Sequence, residues 1–284
     1  MNKIKRYPDD SFEFHNEVLN SKHFRPKDPT YKIRIKALGP QVKAQFDCHD
    51  KEFDNDNLHV LKPCNLTKSE QEDLKSLYDY DSKPFQRLNL ILTTRDNGHI
   101  QPVCPLCTIN NANTLDHQIP KTKFPELSDH PRNLIPCCSE CNSYKSDNWL
   151  NGPDRRYLNL YIDTLPDKQY LFVNLSLESG TVKVEFSIDN REGLDPVLYK
   201  KIENHYGDLK LCKRFANNSY NIISELGNMI SGLCSLLSDD DIKNYIEKKE
   251  CEMRRVYGFN YWKSLLILEC CRKEDIFQFL KNPY

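Results

Sequence analysis

The chain carries no surplus of positive charge. Its 284 residues hold 40 Lys and Arg against 41 Asp and Glu, for a net charge of -1. Phosphate backbones are ordinarily gripped by an excess of basic side chains that releases counterions. Binding of nucleic acid through overall charge is therefore excluded, and any such grip has to come from a local patch, a metal ion or a partner. Nor does the N-terminus, MNKIKRYPDDSFEF, contain the apolar run of a signal peptide. No stretch approaches the ~18 uninterrupted apolar residues of a membrane span, so a cytoplasmic protein with no membrane segment is expected. Internal repeats and low-complexity segments are missing as well. What is present, 38% hydrophobic and 11% aromatic residues, is enough for a real core. The length fits one large or two modest domains.

Twelve cysteines stand out against this background. In a reducing compartment they do not imply a disulfide framework, and clustered pairs more often bind metal. Two C-x2-C pairs occur, Cys104/Cys107 and Cys138/Cys141. Each pair can grip one face of a tetrahedral ion, and four thiolates close its shell, as structural Zn²⁺ sites require. A closed shell leaves no position for water, so this metal would hold the fold and do no chemistry. Cys137 could replace Cys138 only by breaking the spacing and reads as a packing neighbour. Cys48, Cys64, Cys212, Cys234, Cys251, Cys270 and Cys271 lack paired spacing and read mostly as buried thiols.

The pattern predicts an α+β chain in three regions. Residues 1–95 form a partly helical region of unknown role. In it, residues 1–66 read as irregular, with Tyr31–Lys36 alternating as a half-buried strand whose Lys32, Arg34 and Lys36 share one face. Thr67 and Glu70 form a capping box, with Ser69 and Glu72 an alternative in the next register, before a helical stretch to about Thr94, broken or kinked at Pro84. Asp96-Asn-Gly98 makes a turn. Residues 96–195 contain the cysteine pairs and then a β-hairpin over 170–188, turning at Ser179-Gly180. Residues 196–284 read as a helical region and a candidate docking surface. There Ile223, Leu226, Ile230, Leu233 and Leu237 fall on one helical face, Trp262, Leu265, Leu266 and Cys270 mark another buried helix, and Asp239-Asp-Asp241 opens a third.

Between the cysteine pairs lie Thr114-Leu-Asp-His-Gln-Ile-Pro-Lys-Thr-Lys-Phe-Pro-Glu-Leu127 and Pro131-Arg-Asn-Leu-Ile-Pro-Cys-Cys-Ser-Glu-Cys-Asn-Ser-Tyr-Lys-Ser-Asp147. These segments resemble the HNH endonucleases, whose core is a ββα-metal unit often flanked by a C-x2-C at each end. The resemblance implies that Asp116 ligates a catalytic metal and His117 is the general base. It makes Asn133 the middle Asn that steadies the loop, and Asn142 the last family position, a metal ligand. Lys145 matches a trailing Lys that can neutralise a phosphate. The same D-H-N-N form is similar to the HNH domains of RNA-guided DNA nucleases.

Elementary chemistry agrees with these assignments. A neutral imidazole at His117 can take a proton from water near neutral pH. Asp116 and Asn142 offer only oxygen atoms, which suit Mg²⁺ or Mn²⁺ better than Zn²⁺. On a regular strand Asp116 and His117 point to opposite faces. Both can serve one site only where the strand twists or ends, a geometry that the Asn133 amide can pin. Lys121, Lys123 and Arg132 are further candidate phosphate contacts. His15, His23, His49, His59, His99, His130 and His205 have no partner motif and read as ordinary.

Over residues 100–215 the order of motifs, including Tyr161-Ile-Asp163 and the following strand pair, is similar to the HNH subunits of Septu-type antiphage systems and of retron systems that borrow them. That resemblance implies a nuclease acting on nucleic acid, DNA in the first place. It also implies an ATPase partner of ABC or SMC type, with a retron reverse transcriptase and its RNA–DNA product as further candidate partners. Two alternatives stand beside this reading. One is a stand-alone restriction or homing enzyme, for which no basic recognition module is evident. The other is a zinc-stabilised binding module without activity.

Overall fold

A computed structural model describes residue 1 and residues 3–282. Its contacts define two units. One comprises 3–106 and 110–163; the other comprises the chain from Thr164 onward together with Met1 and 107–109. The protein is α+β, with helices predominating and three separate two-stranded antiparallel sheets among the described residues.

The first unit opens with helices α1 (Ser11–Ser21) and α2 (Tyr31–Asp54). The strand expected at Tyr31–Lys36 is thus the first turns of a 24-residue helix. Six alternating residues were outweighed by a longer pattern: Tyr31, Ile35, Leu38, Val42, Phe46, His49 and Phe53 recur at spacings of three and four, and all are buried. The basic strip expected there does not form. Arg34 bonds both Asp28 and Asp73 through its guanidinium, while Ile33 points outward. Helices α3 (Lys68–Lys75) and α4 (Lys83–Thr93) follow, the first with the reciprocal Thr67–Glu70 capping box, the second with Pro84 in its first turn. A bridge between Thr94 and Ile100 closes the turn at Gly98, which takes the positive φ that glycine tolerates.

Strands β1 (Thr114–His117) and β2 (Leu134–Cys137) pair with Asp116 opposite Ile135 and His117 opposite Leu134. A buried loop joins them. Helix α5 (Ser139–Lys145) follows β2 directly, and the Cys138 sulfur accepts from the Cys141 N–H across its first turn. A minimal ribbon, β3 (Leu150–Asn151) with β4 (Asp154–Arg155), precedes the end of the unit.

In the second unit, β5 (Leu171–Glu178) and β6 (Thr181–Ile188) form the expected hairpin, with Ser179 and Gly180 both at positive φ. Its inner face, Leu171, Leu175, Val182 and Phe186, is buried. Phe186 meets Phe215 and Trp262, so the hairpin packs with the C-terminal helices. The helices are α6 (Pro196–Asp208), α7 (Leu211–Leu233), α8 (Asp239–Tyr257), α9 (Trp262–Arg272) and α10 (Glu274–Lys281). Ile223, Leu226 and Ile230 are buried as expected, but α7 stops at Leu233 and Leu237, beyond its end, stands exposed. No helix among the described residues is long and apolar enough to cross a membrane.

Candidate functional site

The site grows from the β1–loop–β2–α5 segment. The side chains of Cys104, Cys107, Cys138 and Cys141 are buried, and their sulfur atoms all lie within 4.8 Å of one another. Backbone N–H groups of Ile109 and Cys141 point at the sulfurs of Cys107 and Cys138 at 3.4 Å each. Four clustered sulfurs with donors directed at them fit a closed structural site for an ion such as Zn²⁺. Cys137 is buried beside this group but is not part of it.

Asp116 is buried and faces α5. The Lys145 ammonium lies 3.0 and 3.3 Å from its two carboxylate oxygens and donates to the His117 carbonyl at 2.7 Å. Burial raises the Asp116 pKa, and Lys145 opposes that shift. One carboxylate oxygen, Oδ2, receives no well-directed hydrogen bond despite its nearness to the ammonium. Lys145 itself is only 5% exposed, its ammonium turned inward onto Asp116. Asn142 lies three residues before Lys145, hence on the same side of α5. It is half-buried, and its side chain makes no hydrogen bond within the described residues. Asp116 and Asn142 each carry an oxygen donor, the chemistry that hard divalent cations take.

His117 ends β1, and its ring turns away from Asp116. Its Nε2 lies 2.8 Å from the Ser128 carbonyl. A carbonyl only accepts, so Nε2 carries the proton and Nδ1 holds the lone pair. Burial, helped by the charge of Lys121, pushes the His117 pKa down to about 3. The ring of Tyr78 meets it edge-on at 4.7 Å. The Tyr78 hydroxyl donates to the Leu115 carbonyl and accepts from the Leu115 N–H. The Lys121 ammonium lies 4.4 Å from the Tyr78 ring centre, and burial lowers its pKa. Lys123 is exposed.

Asn133 is fully buried. Its Oδ1 accepts from the Ile119 N–H at 2.8 Å, and its Nδ2 donates to the carbonyls of Ile119 and Leu127 at 3.0 and 3.3 Å. Its own carbonyl accepts from the Gln118 N–H. One side chain thus ties together both ends and the middle of the β1–β2 loop.

Sequence reading missed a supporting layer. Ser128, which fixes the His117 tautomer, is followed by Asp129 and His130, and each is tied to an N-terminal helix. Asp129 pairs with His15 of α1 at 2.8 Å. His130 pairs with Asp50 of α2 at 3.2 Å, and Arg132 reaches the other Asp50 oxygen at 3.1 Å. His49, Asp50 and His130 bring ligand atoms within 4.8 Å of one another. The two rings lie at a 4.1 Å centroid separation, tilted by 46°, and the Arg132 guanidinium already pairs with the carboxylate. Asp50 thus ion-pairs the loop to α2, while Nε2 of His49 and of His130 receives no well-directed hydrogen bond. On the other strand, the buried Tyr161 hydroxyl donates to the Leu134 carbonyl, directly opposite His117. Asp163 bonds Arg155, which also grips Asp56. Tyr161 and Asp163 fall in the Tyr-x-Asp segment read from the sequence; Tyr78 and the His15–Asp129 and His130–Asp50 pairs carry no motif, and only the helical reading of 31–54 would have placed His49 and Asp50 on or beside a buried face.

An α+β chain with a strand pair, a short helix and a buried four-cysteine cluster is the class that fold and site define. No family model matches the chain, and no solved structure does. It is similar to Septu protein PtuB of Bacillus thuringiensis, 24% identical over 154 residues that cover 51% of this chain and 58% of that protein. It is also similar to Protein ea31 of Escherichia phage lambda, 32% identical over 100 residues, 32% of this chain and 31% of that protein. The chain spans about half the length of the first of these relatives and about a third of the second.

Proposed function

We propose that this chain is a metal-dependent HNH-type endonuclease, cleaving nucleic acid and DNA in the first place, that serves antiphage defence as part of a Septu-like system. The observation that carries the reading is the treatment of His117. In a buried ring whose Nε2–H is held by the Ser128 carbonyl, Nδ1 is left as the basic nitrogen at the end of β1. The preceding residue, Asp116, is a buried carboxylate with an under-satisfied oxygen. The similarity to a Septu protein supports the defence role.

In this mechanism His117 Nδ1 takes the proton of the attacking water. Burial keeps the ring neutral at pH 7, and an arriving phosphate, opposite in charge to Lys121 and Lys145, raises its basicity as the reaction needs. Asp116 and Asn142 would hold Mg²⁺ or Mn²⁺, which when bound supplies charge relief at the phosphate and stabilises the leaving oxygen. Asn133 keeps the loop, and so the Ser128 carbonyl, in place. Lys121 and Lys123 flank the site as phosphate contacts. An ABC- or SMC-like ATPase partner belongs to the same reading, because a chain of net charge -1 has little grip of its own on a polyanion.

The test is cleavage of plasmid DNA and of RNA by wild type and His117→Ala, with Mg²⁺ or Mn²⁺ and with chelator, alone and after coexpression with an ATPase of ABC or SMC type. Loss of cleavage in the variant and in chelator is expected. Cleavage that persists unchanged in His117→Ala would sink the assignment of the base.

A further inference from the structure

The Asp116 carboxylate is buried, and burial disfavours its charge. Among the described residues, the cation placed on it is Lys145, at 3.0 and 3.3 Å. A lysine almost wholly buried at the end of a seven-residue helix gives up the hydration of its ammonium. That cost is recovered only through partners, here the Asp116 carboxylate and the His117 carbonyl. We infer that the Lys145 ammonium is a built-in counter-cation that competes with the divalent ion for Asp116, so that metal binding and release of Lys145 are one coupled event. The inference rests on the nuclease reading above for the identity of the ion and deepens it by naming what restrains the site.

One small carboxylate cannot give full charge compensation to an ammonium and a divalent cation at once. Two positive charges brought to one anion repel each other, and the penalty grows as water is excluded. The Lys145 stem has four rotatable bonds, so its head can leave Asp116 while the helix stays in place. Asn142, on the same side of α5, is neutral and adds no competing charge. The metal affinity of the site is thereby held below what its donors alone would give, which suits a nuclease that must not act unprompted.

The experiment uses the full chain without nucleic acid and reads Mn²⁺ binding by electron paramagnetic resonance or calorimetry. Lys145→Gln keeps a donor for the His117 carbonyl and removes the charge. It is expected to bind Mn²⁺ about tenfold more tightly than wild type, or ~1.4 kcal/mol. Equal or weaker affinity in Lys145→Gln would overturn the competition. A second readout needs no variant. In wild type labelled with 15N-lysine, the Lys145 ammonium should give an exchange-protected signal that is lost or shifted as Mg²⁺ is added, whereas an ammonium signal unmoved at saturating Mg²⁺ refutes the inference. Asp116→Asn separates the two levels of argument. If wild type binds Mn²⁺ no better than Asp116→Asn does, the metal-dependent nuclease reading itself fails, and the competition with it. If Asp116→Asn loses the ion but Lys145→Gln gains nothing, only the competition fails.

Discussion

Replacing Asn133 by Ala should damage the first unit far more than its single amide suggests. The side chain is fully buried and makes three hydrogen bonds, accepting from the Ile119 N–H and donating to the carbonyls of Ile119 and Leu127. The Leu127 carbonyl also accepts from the His130 N–H, so it keeps a partner. The Ile119 N–H and carbonyl do not have that reserve. A buried polar group left unsatisfied costs roughly 1–3 kcal/mol, and two of them give about 3 kcal/mol as the central expectation. For a unit of this size that corresponds to a fall in Tm of roughly 6–12 °C. Urea or thermal unfolding followed by tryptophan fluorescence measures it, since Trp149 lies in this unit. Asn133→Asp sharpens the test. An ionised carboxylate still accepts from Ile119 N–H but faces two carbonyls with nothing to donate, so it should be at least as unstable at pH 7 and partly recover as the pH falls and an O–H returns. Cleavage, measured well below either Tm, should fall by more than the folded fraction accounts for, because the loop that Asn133 holds also carries the Ser128 carbonyl. Less than about 1 kcal/mol lost in Asn133→Ala, with cleavage intact, would refute the account of the loop as pinned by this residue.

Elemental analysis should find about one Zn²⁺ per chain, lost in Cys104→Ser and retained in Cys137→Ser; equal loss in both would move Cys137 into the cluster. Acid should destabilise the protein below about pH 6.5. Burial pushes His49 and His117 down to about 3, with the charge of His130 next in order for His49 and that of Lys121 for His117. Both are neutral in the fold but protonate near pH 6.5 when unfolded. Their contribution is therefore present above pH 6.5 and drains as pH falls toward 3, at about 1.4 kcal/mol per group per pH unit. His15 has the opposite sign. Burial lowers its pKa, but the Asp129 carboxylate outweighs burial and raises it, so its contribution is lost as pH rises through the folded value. His49→Gln should flatten the loss between pH 7.5 and 5.5 relative to wild type, and an unchanged slope would remove His49 from the argument.

What was legible in the sequence was local. The cysteine spacing, the Thr67–Glu70 box, the hairpin turn at Ser179-Gly180 and the order strand, loop, strand, helix across 114–145 all follow from residues within a few positions of one another, and the structure contains each. Tyr31–Lys36 misled because its alternation is real but short. Only the buried residues further along α2 show that the three-and-four spacing prevails, and with it the burial of His49. Lys145 could be placed at the site from its motif, but not turned inward, because a burial state belongs to the packed chain and not to the residue.

The same limit explains why the N-terminal region had no legible role. His15 reaches Asp129 across 114 positions, and Asp50 reaches His130 from another helix. A lone His or Asp on a helix carries no hint of a partner so far away. Once joined, the two pairs act on consecutive residues, and the residue before them is Ser128, whose carbonyl decides which nitrogen of His117 is basic. Helices α1 and α2 thus stand to the His117 tautomer as the sulfur cluster stands to the α5 end of the site. Each fixes one side of a short segment that has too little secondary structure of its own to hold a catalytic geometry. A four-residue strand pair and a seven-residue helix need both supports, because an isolated two-stranded hairpin is at best marginally stable in water.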